Sequence, residues 1–264
     1  MSRLFTFGCS FTQYAWPTWA DILSDNFDEF QNWGKSGAGN QYIGYAISEC
    51  DIKNNLGEND TVIVMWTSVS REDRYINHQW VTPGNVYTNN DYNSNFVKNY
   101  VDMRGFYIRD LSMINLVKGF LESKGVNYYF ISMIDIFSNE FDDIGEVDYG
   151  DIQWHYQALE KTIRPSVHNV LFGYDWDSRP SDILARDSGY MMPSTVYPRK
   201  PNRVRQDRHP SPLEHLEYIE QVVPEIRVSE VTRNNIIEIN NLLHNDKFDI
   251  DKVWDKNAHI PARL

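Results

Sequence analysis

Ser10 near the start of the chain and the pair Asp207 and His209 near its end have the side-chain types that acyl transfer requires. Ser10 follows an apolar run and the flexible Gly8, which lets a strand turn sharply and present a serine at its carboxyl end. A serine becomes a nucleophile only when a base accepts its proton. His209 lies in a loop where the following proline restricts the backbone, and Asp207 is an acid close enough in sequence to orient that base.

Other interpretations of these residues remain open from the sequence. Ser10 also fits an ordinary strand-to-helix turn in which it caps the helix. Cys9 is a rival nucleophile, but strand alternation points it away from Ser10 and favours a small buried side chain. Ordinary polar positions account for the other histidines, which are His78, His155, His168, His215, His244 and His259. No His-x-x-x-His or Cys-x-x-Cys spacing predicts a metal site, and no cofactor is expected.

Strand and helix patterns alternate along the first half of the chain. The predicted strands are residues 3–7, 27–33, 60–66 and 126–134, of which 60–66 is the most continuous apolar run. The predicted helices between them are residues 16–23, 41–54 and 96–124, the last broken near Gly105 and closed by Gly125. This order predicts an α/β fold: a three-layer α/β/α sandwich with a central parallel sheet.

The remainder of the chain is predicted as insertions and a tail around that single domain, residues 1–264. Residues 72–95 form an inserted loop, and residues 138–205 form a second insertion or lid with a short strand at 167–172. A helix at 211–223 begins at the N-cap Ser211, and the C-terminal helical tail covers about 226–264. Within that tail, a helix is predicted at 234–243 and loose packing for the last twenty residues.

Composition limits the classes of partner and the location. The net charge of −12 argues against nucleic-acid binding, although the basic run 199–205 just before Asp207 is compatible with attracting an anionic substrate. No run of about 18 apolar residues predicts a membrane span, and no secretory signal is visible. These features favour a cytoplasmic protein and are also compatible with a viral or phage origin. Two cysteines do not make a disulfide framework.

Short segments at both ends of the chain resemble the sequence blocks of the SGNH/GDSL hydrolase superfamily. They are Gly8-Cys9-Ser10-Phe11-Thr12 and Asp207-Arg208-His209-Pro210, in a divergent form of each block. The loop from Asn32 to Gly37 matches the Asn-x-x-x-x-Gly spacing of the second block, and its glycines allow N–H groups to point at a ligand. The resemblance implies a flavodoxin-like fold in which Ser10 is the nucleophile, His209 the base and Asp207 its orienter.

The resemblance also implies an oxyanion hole, and here the sequence departs from the family pattern. Ser10 and Gly37 are expected to donate their N–H groups. Trp66-Thr67-Ser68 stands where the third block has Gly-x-Asn, so the remaining donor either is the hydroxyl of Ser68 or of Thr67 or is missing. In the last block Gln206 lies three residues before the histidine and Asp207 one residue closer, so Asp207 or a backbone carbonyl holds the imidazole.

The predicted function is a serine esterase or deacetylase acting on a small ester, such as an O-acyl group on a carbohydrate. An O-acyltransferase on the same site and a catalytically impaired binding or structural protein are the alternatives. The candidate substrate-binding residues are Thr67, Arg71, Asn40 and Trp66. Tryptophans suit sugar stacking but equally suit core packing, and Arg71 either anchors a carboxylate or pairs with Glu72 or Asp73. The oligomeric state is not predicted.

Overall fold

The structure is a computed structural model, which describes residues 1–87, 92–137, 150–172, 184–185, 205–206, 209–243 and 250–263. Most of the predicted insertion 138–205 lies outside these residues. In chain order the helices and strands are β1 Arg3–Phe7, α1 Trp19–Ser24, β2 Glu29–Asn32, α2 Asn40–Asn54, β3 Asp60–Trp66, β4 Arg74–Ile76, β5 Gln79–Val81, α3 Ser94–Tyr100, α4 Met103–Ser123, β6 Asn127–Ser132, α5 Gly150–His155, α6 Gln157–Glu160, β7 Leu184–Ala185, β8 Arg205–Gln206, α7 Pro212–Val222 and α8 Glu230–Leu243.

The main sheet has four parallel strands in the order β2-β1-β3-β6. Strand β2 lies on one side of β1 in the sheet, whereas β3 and then β6 lie on the other side. Right-handed crossovers therefore place α1 on one face of the sheet and α2 and α4 on the other. The helix contacts agree, since α2 packs against α4, and α1 packs against α7. The predicted α/β/α sandwich with a central parallel sheet is confirmed.

The core follows from this layering. Strand β3 is buried along its whole length because helices cover both faces of a parallel sheet, which explains its unbroken apolar sequence. Helix α7 begins where the sequence predicts, at the N-cap Ser211, whose hydroxyl accepts from the Glu214 N–H at 3.2 Å. Glu214 in turn accepts from the Ser211 N–H at 2.7 Å, completing a capping box.

Several boundaries differ from the sequence prediction. Helix α1 begins at Trp19 rather than Trp16, because Thr18 is the N-cap and holds the Asp21 carboxylate. The long helix predicted at 96–124 is divided into α3 and α4 at Val101, where the backbone is extended, and not at Gly105. Gly125, with φ +69°, follows the end of α4 as predicted.

The strand predicted at 167–172 is wrong. Residues His168–Phe172 form a π-helical turn, and the pairing with the sheet comes from residues just before it. Ile163 makes an isolated parallel bridge with Phe130, and the His168 N–H donates to the Met133 carbonyl at 3.2 Å. This segment covers the edge of β6, which satisfies backbone groups that would otherwise face solvent.

The predicted loop at 72–95 contains a hairpin, and the C-terminal segment contacts the domain at several points although most of its described residues are exposed. Strands β4 and β5 are joined by Asn77 and His78, both with positive φ, as a two-residue hairpin turn requires. Near the C-terminus, Arg263 lies over the Trp33 ring at 5.0 Å and donates to the Gly34 carbonyl at 3.1 Å.

Among the described residues, no helix has the length and apolar character needed to cross a membrane.

Candidate active site

Ser10 lies just beyond the carboxyl end of β1, at the point where the chain leaves the sheet in opposite directions from β1 and β3. Ligand sites of open parallel sheets form at such a switch point. Gly8 has φ +155°, and a Cβ there would lie 2.1 Å from the Thr12 hydroxyl oxygen and 3.1 Å from the Met65 carbonyl oxygen. Glycine is therefore needed for the chain to turn here. The Thr12 N–H closes the turn on the Cys9 carbonyl at 2.9 Å, and Ser10 is left 7% exposed.

Cys9 faces the interior, as strand alternation predicts. Its side chain is fully buried, and its Sγ lies 3.8 Å from the Met133 Sδ. Cys9 therefore packs as a small apolar residue between β1 and the end of β6.

The His209 imidazole reaches Ser10 across a sequence separation of 199 residues. Its Nε2 lies 2.9 Å from the Ser10 Oγ, so the predicted hydrogen-bonding distance is confirmed. Two aromatic rings hold the imidazole. Tyr14 stacks on it at a centroid distance of 3.8 Å and an angle of 21°, and Phe11 meets it edge-on at 5.4 Å. Ser10, Phe11 and Tyr14 all belong to the turn after β1. This short segment therefore supplies both the hydroxyl and the two rings that pack on the His209 imidazole.

The backbone that follows His209 is anchored by contacts at the next two residues. The Trp16 indole N–H donates to the Pro210 carbonyl at 2.9 Å, and the Ser211–Glu214 capping box begins one residue later. These contacts fix His209 at the entry to α7. Asp207 lies outside the described residues, and its role as orienter stays a prediction.

The glycine loop between β2 and α2 lies beside the Ser10 turn. The Lys35 N–H donates to the Gly8 carbonyl at 3.0 Å. The Asn32 side chain joins the two loops, donating to the Thr12 carbonyl at 2.8 Å and accepting from the Gly34 N–H at 2.9 Å. The first residue of the Asn-x-x-x-x-Gly block therefore acts as a bridge between the nucleophile turn and the loop that carries the glycine.

Gly37, the predicted oxyanion residue, adopts a conformation that only glycine fits. Its φ is +74°, and a Cβ there would lie 2.0 Å from the Thr82 carbonyl oxygen. The Thr82 hydroxyl donates to the Ser36 carbonyl at 2.7 Å. The hairpin insertion thus packs directly on the glycine loop, and Gly37 is required by that close approach.

The third block is built around Asn40, the first residue of α2. Its amide donates to the Thr67 carbonyl at 3.0 Å and to the Asp110 carboxylate at 2.8 Å, and its carbonyl oxygen accepts from the Thr67 N–H at 2.8 Å. The Thr67 hydroxyl donates to the Ala38 carbonyl at 3.2 Å. Asn40, Thr67 and Trp66 are all fully buried, and Trp66 packs edge-on against Phe130.

Ser68 and Arg71 are the predicted site residues of this block that are not fully buried. The Ser68 hydroxyl lies 2.8 Å from the Ser70 hydroxyl and is half-buried. Arg71, also half-buried, donates to the Ala38 carbonyl at 2.9 Å and contacts the Met133 Sδ at 3.4 Å. The structure therefore separates the four candidate substrate-binding residues: Arg71 is partly accessible, while Asn40, Thr67 and Trp66 lie inside the protein.

A charged network behind the third block was not predicted from the sequence. Arg109 on α4 donates to Glu72 at 2.6 Å, to Asp110 at 2.7 Å and to the Arg71 carbonyl at 2.9 Å. Burial raises the pKa of Asp110 to about 7, against the opposing effects of Arg109 and Asn40. The signal in the sequence was an acid on the apolar face of α4, alongside Tyr107, Leu111 and Ile114.

Asp73 caps α2 from outside the helix. Its carboxylate accepts from the Gly39 N–H and the Tyr42 N–H, each at 2.9 Å, and burial raises its pKa. An acid at this position satisfies N–H groups that a helix leaves free at its start. Asp73, the residue before β4, thus holds the end of the glycine loop where it joins α2.

Comparisons with known proteins give matches in structure alone. No protein-family model matches the sequence, and no curated protein matches it. A crystal structure described as a member of the lipolytic protein G-D-S-L family from Veillonella parvula aligns with 84% of this chain and 97% of its own, at 15% identity and a TM-score of 0.42. An alpha/beta hydrolase enzyme, LAE5, from the metagenome of Lake Arreo, Spain, aligns with 93% of this chain and 97% of its own, at 13% identity and a TM-score of 0.42.

Proposed function

We propose that this protein is a serine ester hydrolase in which Ser10 attacks an ester carbonyl and His209 transfers the protons. The observation that supports this most directly is the 2.9 Å contact between the Ser10 Oγ and the His209 Nε2. The contact lies at the sheet's switch point, where ligand sites form. A serine hydroxyl next to an imidazole nitrogen is the pair that nucleophilic acyl transfer needs.

The reaction divides into two steps. In the first, His209 accepts the Ser10 proton as the oxygen attacks the carbonyl, and then donates that proton to the departing alcohol. In the second, His209 activates a water molecule that attacks the acyl group on Ser10, and the proton returns to Ser10 as the acid leaves. Asp207 is assigned the orientation of the imidazole on its sequence position. Tyr14 and Phe11 limit the rotation of the ring through their packing.

The oxyanion that develops in each step needs hydrogen-bond donors. We assign this role to the N–H groups of Ser10 and Gly37 and to the Ser68 hydroxyl. Ser68 is preferred over Thr67 because the Thr67 N–H and hydroxyl already donate to Asn40 and Ala38 inside the protein. The Ser68 hydroxyl lies 2.8 Å from the Ser70 hydroxyl, accepts from the Ser70 N–H at 3.3 Å and is half-buried. A hydroxyl can accept from one group and donate to another, so the Ser70 contact is compatible with donation to an oxyanion.

Hydrolysis of 4-nitrophenyl acetate and labelling by a fluorophosphonate probe test this proposal. Ser10→Ala and His209→Gln are expected to lower kcat/KM by at least about 100-fold and to abolish labelling. Ser123→Ala, at an exposed serine on the end of α4, is the matched control and should behave like the wild type. Equal hydrolysis by the wild type and Ser10→Ala, together with no labelling of folded wild type, would refute the proposal.

The same experiment separates hydrolysis from acyl transfer. O-acylated carbohydrates are the proposed natural class of ester, and sugar alcohols are then the acceptors to add to the assay. A nitrophenol release that is slow in water and rises with a sugar acceptor, while Ser10 still labels, would assign the site to an acyltransferase. Release that is independent of acceptor would support the esterase.

A further inference from the structure

Among the described side chains around the third block, one cationic group makes no direct ion pair, although its charge acts on the nearby Asp73 carboxylate against the effect of burial on the pKa of Asp73. Glu72 is paired with Arg74 and Arg109, each at 2.6 Å. Asp110 is paired with Arg109, and Asp73 accepts from two backbone N–H groups at the start of α2. Within the part of the chain that the structure describes, Arg71 forms no ion pair. The sequence left open whether Arg71 pairs with Glu72 or Asp73, and the geometry gives those acids other partners.

Arg71 lies against both segments that flank the nucleophile. One guanidinium nitrogen donates to the carbonyl of Ala38, the residue after Gly37. Another contacts the Met133 sulfur, which in turn contacts Cys9, the residue before Ser10. Arg71 also makes an isolated antiparallel bridge with Asn85, which joins the start of the insertion to its later part. Its charge therefore lies at the same edge of the sheet as the Ser10 hydroxyl.

The guanidinium keeps donors for a ligand. A guanidinium has more N–H groups than the two contacts to Ala38 and Met133 use, and the sulfur is a weak acceptor. Asp73 lies near this cation but accepts hydrogen bonds from backbone N–H groups, so its carboxylate does not use the guanidinium donors. The planar guanidinium matches a carboxylate, and such charge-assisted hydrogen bonds are stronger than neutral ones.

We propose that Arg71 binds a carboxylate carried by the substrate, so that the preferred esters are those with an acidic group on the acyl or the alcohol half. This inference rests on the proposed function, since it names the substrate class of the same site. An anionic substrate also accounts for keeping an arginine at this edge in a chain whose net charge is −12. A negatively charged protein repels an anionic substrate, so a local cation is needed to hold that substrate in the site.

A pair of esters that differ only in charge tests the assignment. Mono-4-nitrophenyl adipate carries a free carboxylate, and its methyl ester has the same reacting group without the charge. Wild type should prefer the half-ester, and Arg71→Gln should lower that preference about tenfold or more, mainly through KM. Arg71→Lys should restore part of it, because a lysine keeps the charge but not the planar donor pair. Arg74→Gln, a more exposed arginine of the same insertion, is the matched control and should leave the preference unchanged.

A purely structural role for Arg71 gives a different result. If the side chain only holds the glycine loop through Ala38, Arg71→Gln lowers kcat/KM equally for both esters, and the proposal is wrong. Equal preference for the two esters in the wild type also overturns it. Denaturant unfolding of each variant shows whether the substitution has changed the fold.

A binding measurement keeps this inference separate from the catalytic one. Monomethyl adipate carries both an ester and a carboxylate, and Ser10→Ala removes the nucleophile that would consume it. Ligand-observed NMR should detect binding to Ser10→Ala and its loss in Ser10→Ala/Arg71→Gln. Binding with this pattern supports the carboxylate site even if the wild type hydrolyses neither ester, in which case only the proposed function fails. Equal binding to both proteins, or no binding to either, overturns the carboxylate site.

Discussion

Replacing Asn40 by alanine should remove the connection that holds α2, the third block and α4 together. The Asn40 amide joins the Thr67 backbone to the Asp110 carboxylate, and its side chain is fully buried. Alanine would leave the Thr67 N–H, the Thr67 carbonyl and one Asp110 oxygen without this partner. A buried polar group without a partner costs about 1–3 kcal/mol, and water entering the space would recover part of that. We expect a loss of about 3–5 kcal/mol in the free energy of unfolding.

Guanidinium chloride unfolding, followed by tryptophan fluorescence, measures this loss directly. A domain with about 5–15 kcal/mol of stability would remain folded at 25 °C, so activity can be measured on the same variant. Gln41→Ala changes the next residue of α2, whose side chain is half-buried, and should cost less than about 0.5 kcal/mol. These two variants share a helix turn and differ in their burial.

The sequence interpretation of Asn40 as a substrate-binding residue makes the opposite prediction. A substrate contact would raise KM while leaving the unfolding midpoint unchanged. A structural connection would lower the midpoint, and any loss of activity would fall on kcat through misplaced oxyanion donors. An Asn40→Ala protein with wild-type stability and a raised KM would refute the structural assignment.

Four further predictions follow from the same geometry. Tyr14→Leu should lower kcat about threefold to tenfold and Tyr14→Phe should not, because the stack on His209 needs a ring and not the hydroxyl; steady-state kinetics on both variants decides this, and equal losses would contradict it. Asp110 has a pKa of about 7 in the folded protein against about 3.9 in an unfolded chain. The stability that it contributes is therefore fully present below about pH 4 and is lost as the pH rises to about 7. Between these pH values, the free energy of unfolding should decrease less for Asp110→Asn than for the wild type. Gly37→Ala should destabilise the protein by more than about 1 kcal/mol, because its Cβ would lie 2.0 Å from the Thr82 carbonyl oxygen, whereas Gly57→Ala, where nothing lies within 4 Å, should not; denaturant unfolding compares the two. Ser68→Ala should lower kcat about tenfold to 100-fold with little change in KM, and an unchanged kcat would remove Ser68 from the oxyanion hole.

The catalytic pair was predictable because each member stands in a local pattern with a physical meaning. A buried strand, a glycine and then Ser10 predict a hydroxyl at the carboxyl edge of the sheet. His209 precedes a proline and the N-cap Ser211, which predict a loop entering a helix. These local patterns selected the two residues, and the resemblance to the SGNH/GDSL sequence blocks paired them, so that a contact across 199 positions could be predicted.

The supporting residues could not be found in the same way. Asn40, Asp73 and Asp110 act on groups that are 27 to 70 residues away, or on a helix to which they do not belong. Nothing in the sequence around Asp73 indicates that it caps α2, because no local pattern predicts where the short hairpin that follows it packs. The π-helical turn at His168–Phe172 was missed for a related reason: its apolar residues fit a strand locally, but the edge of β6 is already covered by Ile163.

No asparagine follows β3 in the sequence, but in the structure another asparagine lies next to the third block. The amide that lies next to the third block comes from Asn40, at the start of α2, and both of its polar ends are engaged inside the protein. Asn40 therefore fixes the position of the block but has no group left to donate to an oxyanion. We assign that function to a side chain on the accessible side of the same turn, where Ser68 lies half-buried and the half-buried Arg71 lies three residues beyond it. We therefore propose that two residues share the tasks at this turn, with Asn40 positioning the loop and Ser68 donating to the oxyanion.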